Sequence, residues 1–404
     1  MSKPLEGMKV LELSTFVAAP VCARLLGELG ADVIKVERPE GDQWRETGVS
    51  FLPSRFSADE NPVFDIYNSG KKHIALNLKN PEGMAAFRKL LGEADVFITN
   101  TRPNALERLG LSYEQIKDTY PSLVYAMLVG YGEKGPEAAK PAFDTVAFWS
   151  KSGFLMDQSE AGEHYIPVVP PSSAGDTVSG MFLMGEICAA LLRRERTGKG
   201  DFVRSGLYHN GIFTMGTMNI ICQKPFGRNY PLNRLDQGVP GGYYRCADGE
   251  WVFIAAAYAA TIVPKMCEAI GRMDLLEDPD FQTPAGRWQY RERFYAIFRD
   301  AFLTKTSHEW EQIAVDLDFP LERMTHYWEV SQDPQAWAND YLEHVEFANG
   351  RVDVMPRSPL EMDSVGLTKT TPAPEVGHHT RDILSAVGYT AEEIDAMYAS
   401  GAIK

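Results

Sequence analysis

The sequence predicts an α/β protein with a large, doubly wound, Rossmann-like domain and a smaller α+β domain joined by long linkers. Short apolar runs alternate with helical segments through residues 1–210, which is the pattern of parallel βαβ units. Proline and glycine then become frequent at 211–235 and again at 326–379, as in linkers. The length of 404 residues suffices for two or three domains.

The elements of the large domain follow from apolar periodicity and from helix-ending glycines. The first strand, helix and strand fall within thirty residues, and Gly30 ends that helix. We expect strands at 8–13, 32–37, 73–78, 95–99, 123–129 and 201–207, and helices at 20–29, 81–91 and 181–196.

Residues 236–325 form the predicted small domain, and helices at the C-terminus complete the large one. The small domain has a strand at 251–256 and helices at 262–271 and 291–302. Two short helices at 380–387 and 391–398 lie in the segment 380–404 that returns to the large domain. The linkers are therefore 211–235 and 326–379.

Composition excludes several classes of function. A net charge of −15 argues against nonspecific binding of nucleic acid and against an anionic membrane surface. The five cysteines are scattered and odd in number, which favours reduced thiols over disulfides or a zinc site. The start of the chain has no apolar signal core, and no stretch reaches about 18 uninterrupted apolar residues. We therefore expect a cytoplasmic protein with no metal, no nucleic-acid partner and no membrane partner.

Asp176 is the strongest candidate for a reactive group. It follows Gly175 in a segment that reads as a turn before the helix at 181–196. A carboxyl ionises near pH ~4, so at neutral pH it is a nucleophile that needs no base. Such a nucleophile suits a thioester, because a thiolate leaves without a strong general acid. The alternative is that Asp176 only caps the helix.

Three other motifs give no functional assignment. Glu37 ends a strand where dinucleotide-binding folds place an acidic residue, but no Gly-x-Gly-x-x-Gly precedes it, so NAD binding is not expected. Gly198-Lys199-Gly200 lacks the frame of a phosphate loop and reads as a helix-to-strand turn. No Gly-x-Ser-x-Gly elbow supports a serine hydrolase.

An ordered set of segments resembles the class III CoA-transferases, the family of formyl-CoA transferase and carnitine CoA-transferase. The set spans the whole chain: LEGMKVLEL at 5–13, GADVIKVERPEGD at 30–42, NSGKKHIALN at 68–77, NTRPNALERLGL at 100–111, GYGEKGP at 130–136, Gly175-Asp176, TGKG at 197–200 and GHHTRDIL at 377–384. The resemblance implies that Asp176 accepts the acyl group, first as a mixed anhydride and then as an aspartyl-CoA thioester. No ATP is needed, because the exchange is nearly isoenergetic.

The resemblance also implies the surroundings of Asp176. Backbone amides near Val17 and Ala18 would hold the oxyanion, and Asp144 would be a second acidic residue of the site, although it could be only a helix cap. CoA would be the co-substrate, bound by these cationic and polar side chains: Arg38, Lys71, Lys72, Asn100, Arg108 and Lys140. The alternative for each of them is that the side chain is only exposed to solvent and binds nothing. The family forms an interlocked, ring-like homodimer, which suits long linkers.

Departures from the family pattern limit which activity and which acyl group we expect. The resemblance implies that racemases of the family need a histidine where this chain has Phe143, which cannot carry a proton. Racemase activity is therefore disfavoured, and an acyl-CoA racemase or isomerase is kept as the first alternative. Val17 stands where the oxalate-handling enzymes have glutamine; with Tyr243 and Tyr244 it favours a larger, less polar acyl group. A non-catalytic CoA-binding homologue is the second alternative.

The segments at 130–136, 230–234, 304–310 and 335–341 are similar to clostridial-type 2-hydroxyacyl-CoA transferases, those for phenyllactate and 2-hydroxyisocaproate. The resemblance implies an enoyl- or arylacrylyl-CoA donor, a 2-hydroxy acid acceptor and a place in amino-acid fermentation. One departure is Thr177, where near relatives tend to have a histidine or another polar or aromatic residue.

Overall fold

The computed structural model describes residues 3–52, 61–160, 166–255 and 259–404. The chain divides into two compact units. The first unit comprises Met1–Gly153, Pro170–Asn219 and Asp333–Lys404, and the second comprises Phe154–Val169 and Ile220–Gln332.

The described strands form one six-stranded sheet and two small antiparallel sheets. In chain order they are β1 Lys9–Leu13, β2 Asp32–Glu37, β3 Lys72–Ala75, β4 Val96–Thr99, β5 Val124–Val129, β6 Asp201–Gly206, β7 Gly242–Arg245, β8 Trp251–Ile254, β9 Leu321–Arg323, β10 Leu342–Glu346 and β11 Val352–Pro356.

The α-helices range from one turn to more than six turns. They are α1 Ala18–Glu28, α2 Gln43–Val49, α3 Pro62–Asn68, α4 Pro81–Glu93, α5 Pro103–Leu109, α6 Tyr113–Ile116, α7 Phe154–Asp157, α8 Ala174–Thr197, α9 Leu207–Thr214, α10 Gly216–Ile221, α11 Ala259–Ala269, α12 Pro279–Gln282, α13 Pro284–Gln289, α14 Arg291–Phe302, α15 Ser307–Leu317, α16 Pro334–Ala338, α17 Thr380–Ala386 and α18 Ala391–Ala399. Short 3-10 helices and one π-helix, Thr145–Ser150, complete the described elements.

The first unit is built on a parallel sheet with strand order β3-β2-β1-β4-β5-β6. The order reverses between β1 and β4, and ligands gather at such a switch point beside the carboxyl ends of the strands. One face packs Phe87, Phe97 and Tyr125 into a core that also takes Leu384 and Met397 from the C-terminal helices. The parallel sheet confirms the α/β class, and the interlocked homodimer stays a prediction.

The helix α8 begins earlier than the sequence predicts. We expected a turn around Asp176 and a helix from residue 181, because glycine and serine disfavour helices. In the structure the helix begins at Ala174, and two of its glycines lie against neighbouring backbone or rings, where no side chain would fit: a Cβ on Gly175 would lie 2.7 Å from Phe148 Cγ, and one on Gly180 would lie 2.1 Å from Val21 Cγ1. By length and composition alone α8 could cross a membrane, which is weak evidence because core helices pass the same test.

The second unit packs helices against the antiparallel sheet β7-β8-β9. Phe294, Phe298 and Phe302 recur at four-residue spacing on α14, so they share one face, and all three are buried. Tyr244 stacks on Phe302 with ring centroids 4.7 Å apart and is fully buried in the same core. The expectation that Tyr244 lines an acyl pocket is therefore wrong. Tyr243 donates its hydroxyl to Glu160 Oε2 at 2.8 Å.

Candidate active site

Asp176 lies in the first turn of α8, where that helix crosses α1 at close range. A Cβ on Gly180 would lie 2.5 Å from Ala18 O, so the two backbones touch at this point. Residues four apart lie on the same helix face, and helical side chains point toward the N-terminus of their helix. Asp176, one turn before Gly180, is therefore held at the start of α1, and it lines one cavity together with Val17 and Ala18.

Asp144 lies directly beside Asp176. It precedes the π-helix Thr145–Ser150, a type of helix that is frequent at functional sites. Asp144 makes no side-chain cap hydrogen bond to the π-helix that follows it. Its carboxyl lies close enough to the backbone amides of Thr145, Asp176 and Gly175 for them to lower its pKa, so Asp144 faces the first turn of α8 from outside that helix.

Burial makes ionisation of both carboxyls less favourable, and Asp144 adds to this effect at Asp176. Burial raises the pKa of Asp176 well above its ordinary value, and the neighbouring Asp144 raises it further. Burial also raises the pKa of Asp144, although the nearby backbone amides oppose the shift. This corrects the expectation that Asp176 ionises near pH ~4. The ionised carboxylate is poorly solvated, and it is therefore a stronger nucleophile than an exposed aspartate.

The amino end of α1 presents backbone N–H groups to the same cavity. Val17 caps the helix without a side-chain hydrogen bond, and Pro20 in the first turn has no N–H to satisfy. Among the described residues, no acceptor engages the amides of Val17 and Ala18. The preceding residue, Phe16, has a φ of 66°, which turns the chain sharply into the helix. Free donors at a helix N-terminus suit a developing negative charge.

The Asp176 cavity, defined as the space that Asp176 lines, has a volume of about 630 Å³. Its walls are largely apolar, and the rings of Phe16 and Phe143 meet edge to face at 5.0 Å. The apolar lining includes Val17, Leu128, Ala142 and Leu207, and the polar lining includes Gln43, Asn100, Arg102 and Lys140. Such a cavity accommodates a small organic group beside the carboxylate.

A second cavity lies at the carboxyl ends of β1, β2 and β3. This Arg38 cavity has a volume of about 560 Å³ and is lined by Arg38, Asn77 and Lys79, among others. Thr15 and Thr101 line both cavities, so the two spaces share a wall. An elongated anionic ligand could occupy both, with cationic side chains at either end.

Two of the residues expected to bind CoA line the Asp176 cavity. Lys140 is half-exposed, pairs with Glu137 at 3.3 Å and lies 5.0 Å from the centre of the Tyr131 ring. Asn100 uses its amide on the backbone of Thr15: Thr15 N donates to its Oδ1 at 3.0 Å, and its Nδ2 donates to Thr15 O at 2.7 Å. The visible role of Asn100 is thus to hold the loop after β1.

The structure places Lys71, Lys72 and Arg108 away from both cavities. Lys71 is neither exposed nor at a cavity: its buried Nζ lies 2.7 Å from Glu12 Oε2 and donates to Pro20 O at 2.8 Å. Lys72 begins β3, at the edge opposite the carboxyl ends, and pairs with Asp32 at 2.8 Å. Arg108 is exposed in the last turn of α5. Only Arg38 among the expected cations reaches the Arg38 cavity.

Several neighbours of Asp176 carry no signal in the sequence. The hydroxyl of Tyr67 on α3 lies near Ser173 and Thr177, on either side of Asp176 in the chain, and both oppose the rise that burial causes in the pKa of Tyr67. Gln43, the first residue of α2, and Arg102, the residue before α5, line the Asp176 cavity from positions distant in sequence. Helix periodicity explains Tyr67 equally well as a packing residue, so only the tertiary structure brings it here. Within the described ranges, no group of three or more His, Cys, Asp or Glu side chains is placed to hold a metal.

Comparison with known proteins identifies the family. The model of CoA-transferase family III matches residues 5–380. The chain belongs to this family. It is 39% identical to (R)-2-hydroxy-4-methylpentanoate CoA-transferase of Clostridioides difficile, with 99% of each chain covered. It is 36% identical to cinnamoyl-CoA:phenyllactate CoA-transferase of Clostridium sporogenes, covering 97% of this chain and 95% of that one.

Solved structures in the family share the fold of this CoA-transferase. The orthorhombic crystal form of Rv3272 from Mycobacterium tuberculosis superposes with a TM-score of 0.81 at 28% identity, covering 94% of this chain and 99% of that one. A CAIB/BAIF family protein from Brucella suis gives 0.80 at 26% identity, covering 96% and 100%. The predicted class III CoA-transferase and its similarity to the clostridial 2-hydroxy-acid enzymes are confirmed, and CoA thioesters are the substrates of such enzymes.

Proposed function

We propose that this CoA-transferase moves CoA from an enoyl- or arylacrylyl-CoA to a 2-hydroxy or related carboxylic acid through a covalent intermediate on Asp176. The observation that carries the proposal is the placement of one desolvated carboxylate against free amides in a largely apolar cavity. The names of two relatives support the substrate class, since one acts on a branched 2-hydroxy acid and the other on phenyllactate.

The chemistry balances with no co-reactant beyond the two substrates. An oxygen of Asp176 attacks the thioester carbonyl, the C–S bond breaks, and CoA leaves as a thiolate. The thiolate then attacks the aspartyl carbonyl of the mixed anhydride, which releases the donor acid and leaves an aspartyl-CoA thioester. The acceptor carboxylate reverses these steps: it forms a new anhydride, frees CoA thiolate, and receives CoA as Asp176 is regenerated.

Each tetrahedral intermediate carries an oxyanion, and the amides of Val17 and Ala18 are its proposed donors. They are free and lie at the positive end of α1. Removal of one such donor typically costs 10²–10³ in rate, roughly 3–4 kcal/mol of barrier. We assign Asp144 two effects: it holds the backbone at Asp176, and its charge keeps the nucleophile basic.

The two cavities suggest how CoA would lie. The thioester end belongs in the Asp176 cavity, and the nucleotide end in the Arg38 cavity, where Arg38 and Lys79 supply positive charge. Lys140 stands at the mouth between solvent and the Asp176 cavity as a further anchor for the CoA chain or for the acceptor carboxylate. A charge-assisted contact contributes about 1.5–3 kcal/mol.

The second candidate function is that of an acyl-CoA racemase of the same family, and the presence of Phe143 argues against it. A phenyl ring accepts no proton, and in the structure this ring packs on Phe16 in the wall of the cavity.

We propose further that the enzyme is a cytoplasmic homodimer. The exposed apolar residues Phe182, Leu192 and Phe213 on α8 and α9 support a second copy of the chain as partner.

Trapping of the intermediate tests the proposal. The enzyme is incubated with cinnamoyl-CoA and hydroxylamine, and peptides are searched by mass spectrometry for a hydroxamate at Asp176. We expect that adduct in wild type and its absence in Asp176→Ala, with turnover reduced by roughly 10⁴-fold or more. Asp118→Ala, at an exposed aspartate of the same domain, is the control and should behave as wild type. Near-normal exchange by Asp176→Ala refutes the assignment.

Isotope exchange separates the two candidate reactions. Deuterium entering the α-carbon of an acyl-CoA without an acceptor acid supports the racemase. Exchange of CoA between two acids with ping-pong kinetics supports the transferase.

A further inference from the structure

Other parts of the chain hold the first three of the four residues that connect β1 to α1. Lys35 Nζ donates to Ser14 O at 3.1 Å. The Asn100 amide brackets the backbone of Thr15, at 3.0 and 2.7 Å. Phe16 N donates to Asp42 Oδ1 at 3.2 Å. The next two N–H groups are those of Val17 and Ala18, so the loop is fixed up to the proposed oxyanion donors.

Asp42 connects this loop to a buried ion cluster, which we define as Glu12, Lys35, Asp42 and Lys71. Lys35 Nζ lies 2.9 Å from Glu12 Oε1 and 3.0 Å from Asp42 Oδ2. Lys71 Nζ lies 2.7 Å from Glu12 Oε2. All four side chains are buried, and the two cations offset the two anions. A buried charge that loses its partner is strongly unfavourable, so Asp42 has little freedom to move.

The loop needs such a restraint because of the conformation at Phe16. Its φ of 66° lies in the left-handed region, which is unfavourable for a residue with a Cβ. Such a conformation persists only where the surroundings over-determine it. One oxygen of Asp42 accepts from Phe16 N, while the other faces Lys35, so the cluster fixes the direction of the Phe16 peptide.

We propose that Asp42 is a positioning residue for catalysis: by anchoring the Phe16 amide to the buried ion cluster, it aims the Val17 and Ala18 N–H groups at the reacting carbonyl. This inference rests on the proposed function, because it requires that those two amides stabilise the oxyanion. Asp42 borders the Arg38 cavity, but its side chain is fully buried and its two oxygens face Phe16 N, Trp44 N and Lys35 rather than a ligand. It acts on the barrier of acylation through geometry, and it leaves the affinity for CoA largely alone.

Asp42 also caps α2, and the test has to separate the two roles. Its Oδ1 accepts from Trp44 N at 2.9 Å, as an N-cap does. Serine is an equally good N-cap, but it is shorter, has a single oxygen and carries no charge. Asp42→Ser therefore preserves the start of α2 and removes the anchor of Phe16. Asp42→Asn keeps an oxygen of the same reach for Phe16 and is the conservative variant.

The experiment measures acylation of Asp176 in a single turnover, with CoA affinity measured separately by calorimetry. For Asp42→Ser we expect acylation to slow by about 10²-fold, the effect of a displacement of about 1 Å, with the CoA dissociation constant changed by less than about threefold. Asp42→Asn should restore acylation to within about tenfold of wild type. Asn80→Ala removes the exposed cap of α4 and should leave both quantities unchanged.

Two results overturn the inference: acylation of Asp42→Ser at the wild-type rate, or weakened CoA binding with an unchanged acylation rate. If Asp42→Ser does not fold, hydrogen exchange of the wild-type enzyme decides. The Phe16 amide should then be protected, and those of Val17 and Ala18 should gain protection on acylation; rapid exchange at Phe16 overturns the inference. Absence of any adduct in wild type instead refutes the proposed function, so the two failures are distinguishable.

Discussion

We expect that Gly180→Ala lowers the acylation activity of this enzyme far more than its stability. The added Cβ would lie 2.1 Å from Val21 Cγ1 and 2.5 Å from Ala18 O. Ordinary contact begins at 3.4 Å, so the backbone of α1 would have to move about 0.9 Å away from the new Cβ. Because one of these atoms belongs to the backbone of α1, a change of rotamer cannot relieve the contact.

The two consequences differ in size. Overpacking costs about 1–3 kcal/mol of unfolding free energy, and the better helix propensity of alanine returns up to about 1 kcal/mol. Asp176 lies one turn before Gly180, so the same separation moves the nucleophile away from the amino end of α1. A misplacement of about 1 Å lowers the rate by about 10²-fold. We therefore expect modest loss of stability and severe loss of acylation.

Urea unfolding and single-turnover acylation measure the two effects on the same preparations. Gly92→Ala is the matched control, since it lies in the exposed part of α4 and its Cβ would meet Tyr120 at an ordinary 3.7 Å. This control should be slightly more stable and fully active. If Gly180→Ala acylates at the wild-type rate although its stability falls, the contact between α1 and α8 does not position Asp176 and the reasoning fails.

Three further predictions concern buried charges. Asp144→Asn removes a charge that raises the pKa of Asp176, so the acidic limb of the pH profile for acylation should move to lower pH; an unmoved limb contradicts this. Lys71→Met leaves Glu12 short of a partner and should cost about 3–5 kcal/mol in urea unfolding, while CoA affinity measured by calorimetry stays the same; weaker binding at unchanged stability would instead make Lys71 a CoA ligand. Burial raises the pKa of Asp65 to about 7, because the folded protein favours the protonated carboxyl. The stability that this protonated form contributes is complete below about pH 4 and is lost as the pH rises through about 7. Asp65→Asn should therefore raise the unfolding free energy at pH 8 by up to about 4 kcal/mol and change it little at pH 4, and equal effects at both pH values contradict this.

The sheet of the first unit could be predicted because its signal is local. Buried parallel strands are short apolar runs, and helices of one amphipathic face separate them, so period and punctuation suffice. Resemblance added Asp176 and Asp144, which the structure brings side by side. The start of α8 could not be predicted, because Gly175 and Gly180 have poor helix propensity and are explained only by the neighbours they admit.

Charged and polar side chains were harder to place than apolar ones. Lys71 and Lys72 are adjacent in sequence, yet one is buried against Glu12 and the other is exposed beside Asp32. Lys71 precedes β3 and Lys72 begins it, so successive side chains point to opposite sides, and no local pattern tells which side holds a carboxylate. Asn100, which was expected to bind CoA, lines the Asp176 cavity and also brackets the Thr15 backbone, a contact across 85 residues. Such partners are set by the tertiary structure.

The strand order of the sheet has a consequence for how this scaffold uses its first helix. Dinucleotide-binding proteins with the order 3-2-1-4-5-6 present the amino end of that helix to a pyrophosphate, a charge that is always there. In the mechanism proposed here, the same helix end lies beside the Asp176 carboxyl and receives an oxyanion only while a carbonyl is tetrahedral. A small molecule bearing a permanent tetrahedral anion, such as a phosphonate in place of the thioester, would mimic that fleeting species and hold the enzyme in a dead-end complex.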